Sequence, residues 1–146
     1  MRKNEVENKF QLERFIKLVY GGGQKPIDSY TTYLKILYYY SFSKKIKGIT
    51  CIFSNIIHLD FENNKYLTSN ALKLIAKSYS NLKYLNISVF RNKRLADYIF
   101  IIWENGNKGL YAIANLCYKL EYLNISNCTE FSEISICNVI YSCPRL

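Results

Sequence analysis

The chain has 146 residues, of which 49% are hydrophobic, 16% aromatic and 21% charged. This balance excludes an intrinsically disordered chain and fits one folded domain. The formal net charge is +9, but Lys and Arg are spread from Arg2 to Arg145 and form no single stripe. Solvated faces are therefore favoured over a nucleic-acid-binding surface, whose affinity would fall steeply with salt.

The sequence predicts neither a targeting segment nor a cysteine-based site. No stretch reaches the roughly 18 consecutive apolar residues of a membrane span, and the amino-terminal MRKNEVENK has no apolar signal core. We therefore expect an intracellular protein, cytoplasmic or nuclear, that does not bind a membrane. Five cysteines without a Cys-x-x-Cys spacing, and a single histidine, predict neither a disulfide framework nor a zinc site.

The first 54 residues predict a cap followed by a degenerate repeat. An apolar stripe predicts a helix over residues 1–20, which Gly21-Gly22-Gly23 then ends, so 1–28 is interpreted as an amino-terminal helical cap and loop. The stripe consists of Phe10, Phe15, Ile16 and Val19. Residues 29–54 match the repeat described below only loosely. Their strand framework would be Leu34, Leu37, Tyr39 and Phe42, and their inward helix face Ile46, Ile49 and Phe53.

A framework L-x-x-L-x-L recurs through residues 55–146. The segments NIIHLDF from Asn55, NLKYLNIS from Asn81 and KLEYLNIS from Lys119 align with one another. Their period of two predicts a strand in each copy. The framework residues, each set followed by the position where an Asn or Cys is expected, are Ile56, Leu59, Phe61 and Asn64; Leu82, Leu85, Ile87 and Phe90; and Leu120, Leu123, Ile125 and Cys128.

A helical period follows each strand framework. Apolar residues at i, i+3, i+4 and i+7 predict one buried helix face in each unit, and Thr68 and Ser132 precede two of these helices as amino-terminal caps. Such units stack as parallel strands joined by right-handed helical crossovers. The predicted faces are Leu72, Ile75, Ala76 and Tyr79; Leu110, Ile113, Ala114 and Cys117; and Ile136, Val139, Ile140 and Cys143.

The spacing of the units predicts a leucine-rich-repeat solenoid. Asn55 to Asn81 and Lys119 to Arg145 each span 26 residues, within the range of about 20 to 29 for this repeat. The units are therefore 55–80, 81–118 and 119–144, with another starting at 145. The fold class is α/β, in a horseshoe fragment like that of ribonuclease inhibitor.

The middle unit is longer than its neighbours. Asn81 to Lys119 spans 38 residues, which indicates a 12-residue insertion between Phe90 and Gly109. Long insertions are often functional, so Trp103 is a candidate anchor for a partner. The alternative is a strand or helix packed on the flank.

Two segments carry a family resemblance. CYKLEYLNISNC from Cys117 and SCPRL from Ser142 resemble the cysteine-containing repeat C-P-x-L-x-x-L-x-L-x-x-C, and the chain is similar to the repeat arm of F-box proteins. The resemblance implies a protein-protein interaction module for substrate recognition by an SCF-type ubiquitin ligase, with ligase subunits among its partners.

The chain departs from that family in three ways. Its first 50 residues show no F-box, Phe90 and Tyr79 replace expected Asn or Cys residues, and the sequence ends two residues into a repeat, which suggests a fragment. The alternative function is a structural repeat scaffold, or a truncated paralogue without a ligase role.

Residues between the framework leucines are the candidate protein-binding residues, because alternation directs them to the concave face. The alternative is that they are ordinary solvent-facing residues that belong to the repeat pattern. They are His58, Asp60 and Glu62; Tyr84, Asn86 and Ser88; and Tyr122, Asn124 and Ser126.

No enzyme, cofactor or metal site is predicted. Cys117, Cys128 and Cys143 fall on repeat positions that pack inward or bond to backbone, and His58 lacks a nucleophile or second ligand nearby in the pattern. At the open carboxyl-terminal face, Ile125, Ile136 and Val139 should be partly uncovered, which predicts a marginal or self-associating fold.

Overall fold

The computed structural model describes residues 2–6, 29–36, 43–63, 67–89 and 106–146. Within these ranges five strands form one sheet in chain order, and every neighbouring pair is parallel. The predicted α/β class with parallel strands is confirmed. The strands are β1 (Arg2–Val6), β2 (Thr31–Ile36), β3 (His58–Asp60), β4 (Tyr84–Asn86) and β5 (Tyr122–Asn124).

Four helices in the described part of the chain alternate with the later strands. They are α1 (Ser43–Ile52), α2 (Ser69–Ser78), α3 (Gly106–Leu116) and α4 (Glu133–Ser142). Each helix packs against the next one in sequence. Parallel neighbours need a long return connection, which the intervening helix supplies, so each strand–helix unit lies beside the one before it.

The core consists of the framework residues and the inward helix faces. In the units that begin at residues 55 and 81, all framework residues from Ile56 to Phe61 and from Leu82 to Ile87 are buried, as are the predicted faces of α2 and α3. Gly109 allows α2 and α3 to approach, since an added Cβ would lie 2.9 Å from Leu72 Cβ. These helix faces match the prediction.

The carboxyl-terminal unit is only partly covered. Ile125 and Ile136 are half-buried, as predicted, but Val139 is 1% exposed, so its predicted exposure is wrong. Ile140, expected on the inward face, is 55% exposed. Among the described helices α4 packs mainly against α3, and Ile140 lies on a side of α4 that this contact leaves largely open.

Hydroxyl caps start two of the helices, as predicted. Thr68 Oγ1 accepts a hydrogen bond from the backbone N–H of Ala71 at 3.1 Å, and Ser132 Oγ accepts one from Ser135 at 3.2 Å. Each bond satisfies an amide that the first turn of a helix leaves unpaired.

The amino-terminal part corrects two predictions. Arg2–Val6 is a strand paired with β2, so the predicted helix over residues 1–20 is wrong there; the rest of the proposed cap lies outside the described residues. In β2, Leu34 pairs with Leu59, the second framework residue of its unit, whereas the prediction made Leu34 equivalent to the first, Ile56. The predicted framework is therefore displaced by three residues. Thr31, fully buried, occupies the first framework position. The predicted inward residues Ile46, Ile49 and Phe53 are buried.

The turns after the strands differ between units. Asn63 and Asn127 occupy equivalent positions and adopt left-handed backbone conformations, with φ of 61° and 62°, which asparagine tolerates better than most residues. The middle unit has Val89 there, and a β-branched side chain disfavours that conformation. The predicted insertion would begin after Val89; Asn64, Phe90 and Trp103 lie outside the described residues.

Candidate protein-binding face

A row of four aromatic rings crosses the sheet. We call Tyr33, His58, Tyr84 and Tyr122 the ring row. Their strands pair in register at these four positions. Neighbouring ring centroids are 4.2 Å apart for Tyr33 and His58, 3.6 Å for His58 and Tyr84, and 4.3 Å for Tyr84 and Tyr122. The last pair is parallel to within 1°.

The repeat itself produces this row. Each ring immediately precedes a framework leucine such as Leu59 or Leu85. Because side chains alternate along a strand, the leucine enters the core and the ring lies on the opposite face. Parallel strands are about 4.8 Å apart, which is close to a stacking distance for aromatic rings. Because the strands pair in register, the rings at this repeated position lie next to one another and stack.

The ring row lies beside a depression of about 400 Å³ in the sheet face. The rings of His58 and Tyr84 are half-buried, and Tyr122, on the last strand of the described sheet, is 43% exposed. Aromatic groups that combine apolar area with a polar tip are frequent in protein interfaces. The depression is lined by Thr32, Tyr33, Ile57, His58, Lys83, Tyr84, Glu121 and Tyr122.

Two of the predicted contact residues, Asp60 and Asn86, hold the backbone that follows their strands. Asn86 Oδ1 accepts hydrogen bonds from the N–H and the hydroxyl of Ser88, at 3.1 and 2.8 Å. Asp60 Oδ1 accepts the N–H of Glu62 at 2.9 Å. Side chains that bond to backbone two residues ahead fix a turn.

Three of the predicted contact residues are buried, although they were expected to face solvent. Asp60, Asn86 and Ser88 are 5%, 5% and 8% exposed, so the prediction that they face solvent is wrong. Their polar atoms are buried because the turn supplies their hydrogen bonds. Among the other predicted residues, Glu62 and Asn124 are half-buried and Ser126 is exposed.

Two charged clusters lie on opposite sides of the ring row. Before the rings in each strand's direction, Glu121 Oε1 contacts Lys83 Nζ at 3.2 Å and Arg145 at 3.6 Å. Beyond the rings, Lys35 Nζ lies 3.7 Å from Asp60 and 3.9 Å from Glu62. Counted over the side chains that the structure describes, the first cluster has one positive charge in excess and the second cluster has one negative charge in excess.

The hydroxyl of Tyr84 is a hydrogen-bond donor at neutral pH. Burial, followed by the nearby Tyr122 and Asp60, raises its pKa to about 12. The Tyr84 ring therefore carries no charge at neutral pH and lies between two charged clusters. This arrangement can bind a partner through apolar contact, hydrogen bonds and charge, and it has no activated nucleophile among the rings.

Three cysteines donate hydrogen bonds to backbone carbonyls of the preceding unit. Cys117 Sγ donates to the carbonyl of Tyr79 at 3.7 Å, Cys143 to that of Cys117 at 3.4 Å, and Cys128 to that of Ile87 at 3.2 Å. Burial raises the pKa of Cys117 and Cys128 to about 12. These thiols remain protonated at neutral pH, which matches the predicted structural role.

Tyr79 takes the place of a cysteine and keeps its function. Its hydroxyl donates to the carbonyl of Ile49 at 3.4 Å, again in the preceding unit. The longer side chain reaches the same kind of acceptor, and burial raises the Tyr79 pKa above its usual value. The substitution is therefore compatible with the link between units.

Tyr33 is the site residue that the sequence prediction missed. The framework chosen for residues 29–54 placed Leu34 three positions too early, which removed Tyr33 from the candidate list. An aromatic residue directly before a leucine, as in the pairs at Tyr84 and Tyr122, was the available signal. The predicted anchor Trp103 lies outside the described residues.

In the ranges that the structure describes, no group of three His, Cys, Asp or Glu residues could hold a metal ion, and none of the helices is long and apolar enough to cross a bilayer. No protein-family model matches the chain, and no curated protein sequence matches it.

Proposed function

We propose that this chain is a leucine-rich-repeat solenoid of the cysteine-containing type, which binds another protein across the face that carries the ring row. The observation that carries the proposal is the ring row itself, half-open beside a depression of about 400 Å³. Rigid aromatic side chains on a regular scaffold lose little conformational freedom when they bind.

The repeat assignment is supported by three features. Strand and helix alternate, the parallel strands follow chain order, and the residues at three equivalent helix ends, Tyr79, Cys117 and Cys143, each bond to the preceding unit. A stack of similar units that contact only their neighbours is the architecture of a solenoid.

The biological role follows from the resemblance to F-box proteins. We propose that the bound protein is a target for an SCF-type ubiquitin ligase, and that the chain is a binding module and not an enzyme. The second candidate is a structural scaffold with no ligase role. Ligase adaptor and cullin subunits in an affinity purification from the source cell support the first candidate; their absence beside other specific partners supports the second.

Site-directed photo-crosslinking tests the proposed face. A benzophenone amino acid replaces Tyr122 on the sheet face in one variant, and Tyr141 on α4, which is 86% exposed, in a control. We expect a specific protein adduct from position 122 and none from position 141. Adducts from position 141 alone would place the interface on the helices and contradict the proposal.

A further inference from the structure

The two sides of the ring row carry charge of opposite sign, and this limits the kind of partner that can bind there. Lys83, Glu121 and Arg145 form a cluster with an excess of one positive charge on one side of the ring row. Lys35, with Asp60 and Glu62, forms one with an excess of one negative charge on the other side.

The positive cluster is the more accessible of the two. The side chains of Lys83 and Arg145 are 45% and 62% exposed, whereas those of Lys35 and Asp60 are 28% and 7% exposed. Both accessible cations share one oxygen, Glu121 Oε1. A second carboxylate could therefore approach them without displacing an existing partner, and it would balance the excess charge.

The rings and this cluster are within reach of one short segment. Lys83 and Glu121 line the same depression as Tyr84 and Tyr122. Lys83 directly precedes Tyr84 and lies three residues before Asn86, which pairs with Asp60. Three strand steps correspond to about 10 Å. An extended segment of three or four residues spans both charged clusters and crosses the ring row between them.

We infer that the ring-row depression binds an extended peptide segment of a partner protein, with an aromatic or large aliphatic side chain against Tyr84 and Tyr122 and a carboxylate side chain beside Lys83 and Arg145. The inference rests on the proposed protein-binding function and names the class of partner. The net charge of +9 favours the approach of an acidic segment at long range, and the cluster around Glu62 disfavours a second carboxylate at the opposite end.

Peptide selection tests this assignment with the full chain as bait. A random heptapeptide phage library is selected on the protein, and the enriched peptides are synthesised. We expect an aromatic or large aliphatic residue with Asp or Glu within two positions of it. Enriched peptides without a carboxylate, or with Lys or Arg in its place, would overturn the inference.

Charge exchange then locates the carboxylate. Lys83→Glu should weaken an enriched acidic peptide at least tenfold, and changing the peptide carboxylate to Lys should restore most of the affinity of that variant. Lys108→Glu, an exposed change on α3, alters the net charge equally and should have under a threefold effect. Equal losses from the two variants would indicate non-specific attraction and overturn the inference.

The same peptides separate this inference from the proposed function. Neutral or basic peptides that lose binding on Tyr84→Ala would leave protein binding at the ring row intact while overturning the acidic partner. Peptides that bind Tyr84→Ala as well as the unchanged chain would contradict both. Circular dichroism of each variant verifies that the fold is retained.

Discussion

The last two strands of the described sheet, β4 and β5, begin the same sequence, Tyr-Leu-Asn-Ile-Ser, at residues 84–88 and 122–126, and yet the two segments differ in burial. Leu85 and Ile87 are 0% and 1% exposed, whereas Leu123 and Ile125 are only partly buried. β4 lies between β3 and β5, and within the described residues β5 has a neighbour on one side only.

The local geometry of the two segments is the same despite this difference. Asn124 Oδ1 accepts the N–H and hydroxyl of Ser126 at 3.0 and 2.7 Å, close to the 3.1 and 2.8 Å of the pair formed by Asn86 and Ser88. The shared five-residue sequence therefore determines the geometry of the turn, whereas the burial of its leucine and isoleucine depends on the adjacent unit. Substitutions at matched positions can separate the two contributions.

The largest expected difference is between the two leucines. Leu85→Ala should reduce the free energy of unfolding by about 3 kcal/mol, because it leaves a cavity in a closed core, and Leu123→Ala by about 1 kcal/mol, because its site is already partly open. Urea unfolding followed by circular dichroism measures both. Equal losses would mean that β5 is covered in solution, for example by a second copy.

The asparagines should differ next. Asn86→Ala removes the acceptor of two buried donors of Ser88 and should cost about 2 kcal/mol of unfolding free energy, whereas water can replace the acceptor at exposed Ser126, so Asn124→Ala should cost less than about 1 kcal/mol. The same urea titration applies. A similar cost at both positions would show that the turn itself, and not its burial, carries the energy.

For the two buried cysteines we expect equal losses of unfolding free energy in the two units. Cys117 and Cys143 are 0% and 1% exposed and bond to equivalent carbonyls, so each change to Ala should cost about 1 kcal/mol of unfolding free energy. A negligible loss for Cys143→Ala alone would mean that the end of α4 is frayed in solution.

The stability of the chain should also depend on pH through Cys117. The pKa of buried Cys117 is raised from 9.0 to about 12, so the folded state keeps a proton that the unfolded chain releases. Its contribution to stability is complete below pH 9 and is lost as the pH rises from 9 towards 12. Cys117→Ala should make the alkaline loss of stability shallower. Identical pH profiles for the unchanged chain and Cys117→Ala would contradict this assignment.

Sequence patterns were sufficient for the strands and helices that the structure describes from residue 55 onwards. The spacing of Leu59, Leu85 and Leu123 predicted three strands, and all three pair in register. The N-terminal part was harder, because Thr31 occupies a leucine position and the polar segment Arg2–Val6 has no period-two apolar signal. Pairing with β2, a tertiary contact, makes this segment a strand.

The candidate site was predicted in part. Alternation placed His58, Tyr84 and Tyr122 on one face, and the structure adds their stacking with Tyr33. The row of Asp60 and Asn86 was misjudged because polar residues in a strand usually face solvent. The repeated N-x-S spacing indicates the turn instead, since an asparagine side chain tends to bond to backbone two residues ahead.

The most direct test of the central claim is the affinity of the crosslinked partner, once purified, for matched tyrosine variants measured by isothermal titration calorimetry. Tyr122→Ala should raise the dissociation constant at least about tenfold, as expected for an aromatic residue that a partner covers, and Tyr141→Ala should leave it unchanged. Loss of binding on Tyr141→Ala with full affinity for Tyr122→Ala would contradict an interface on the sheet face.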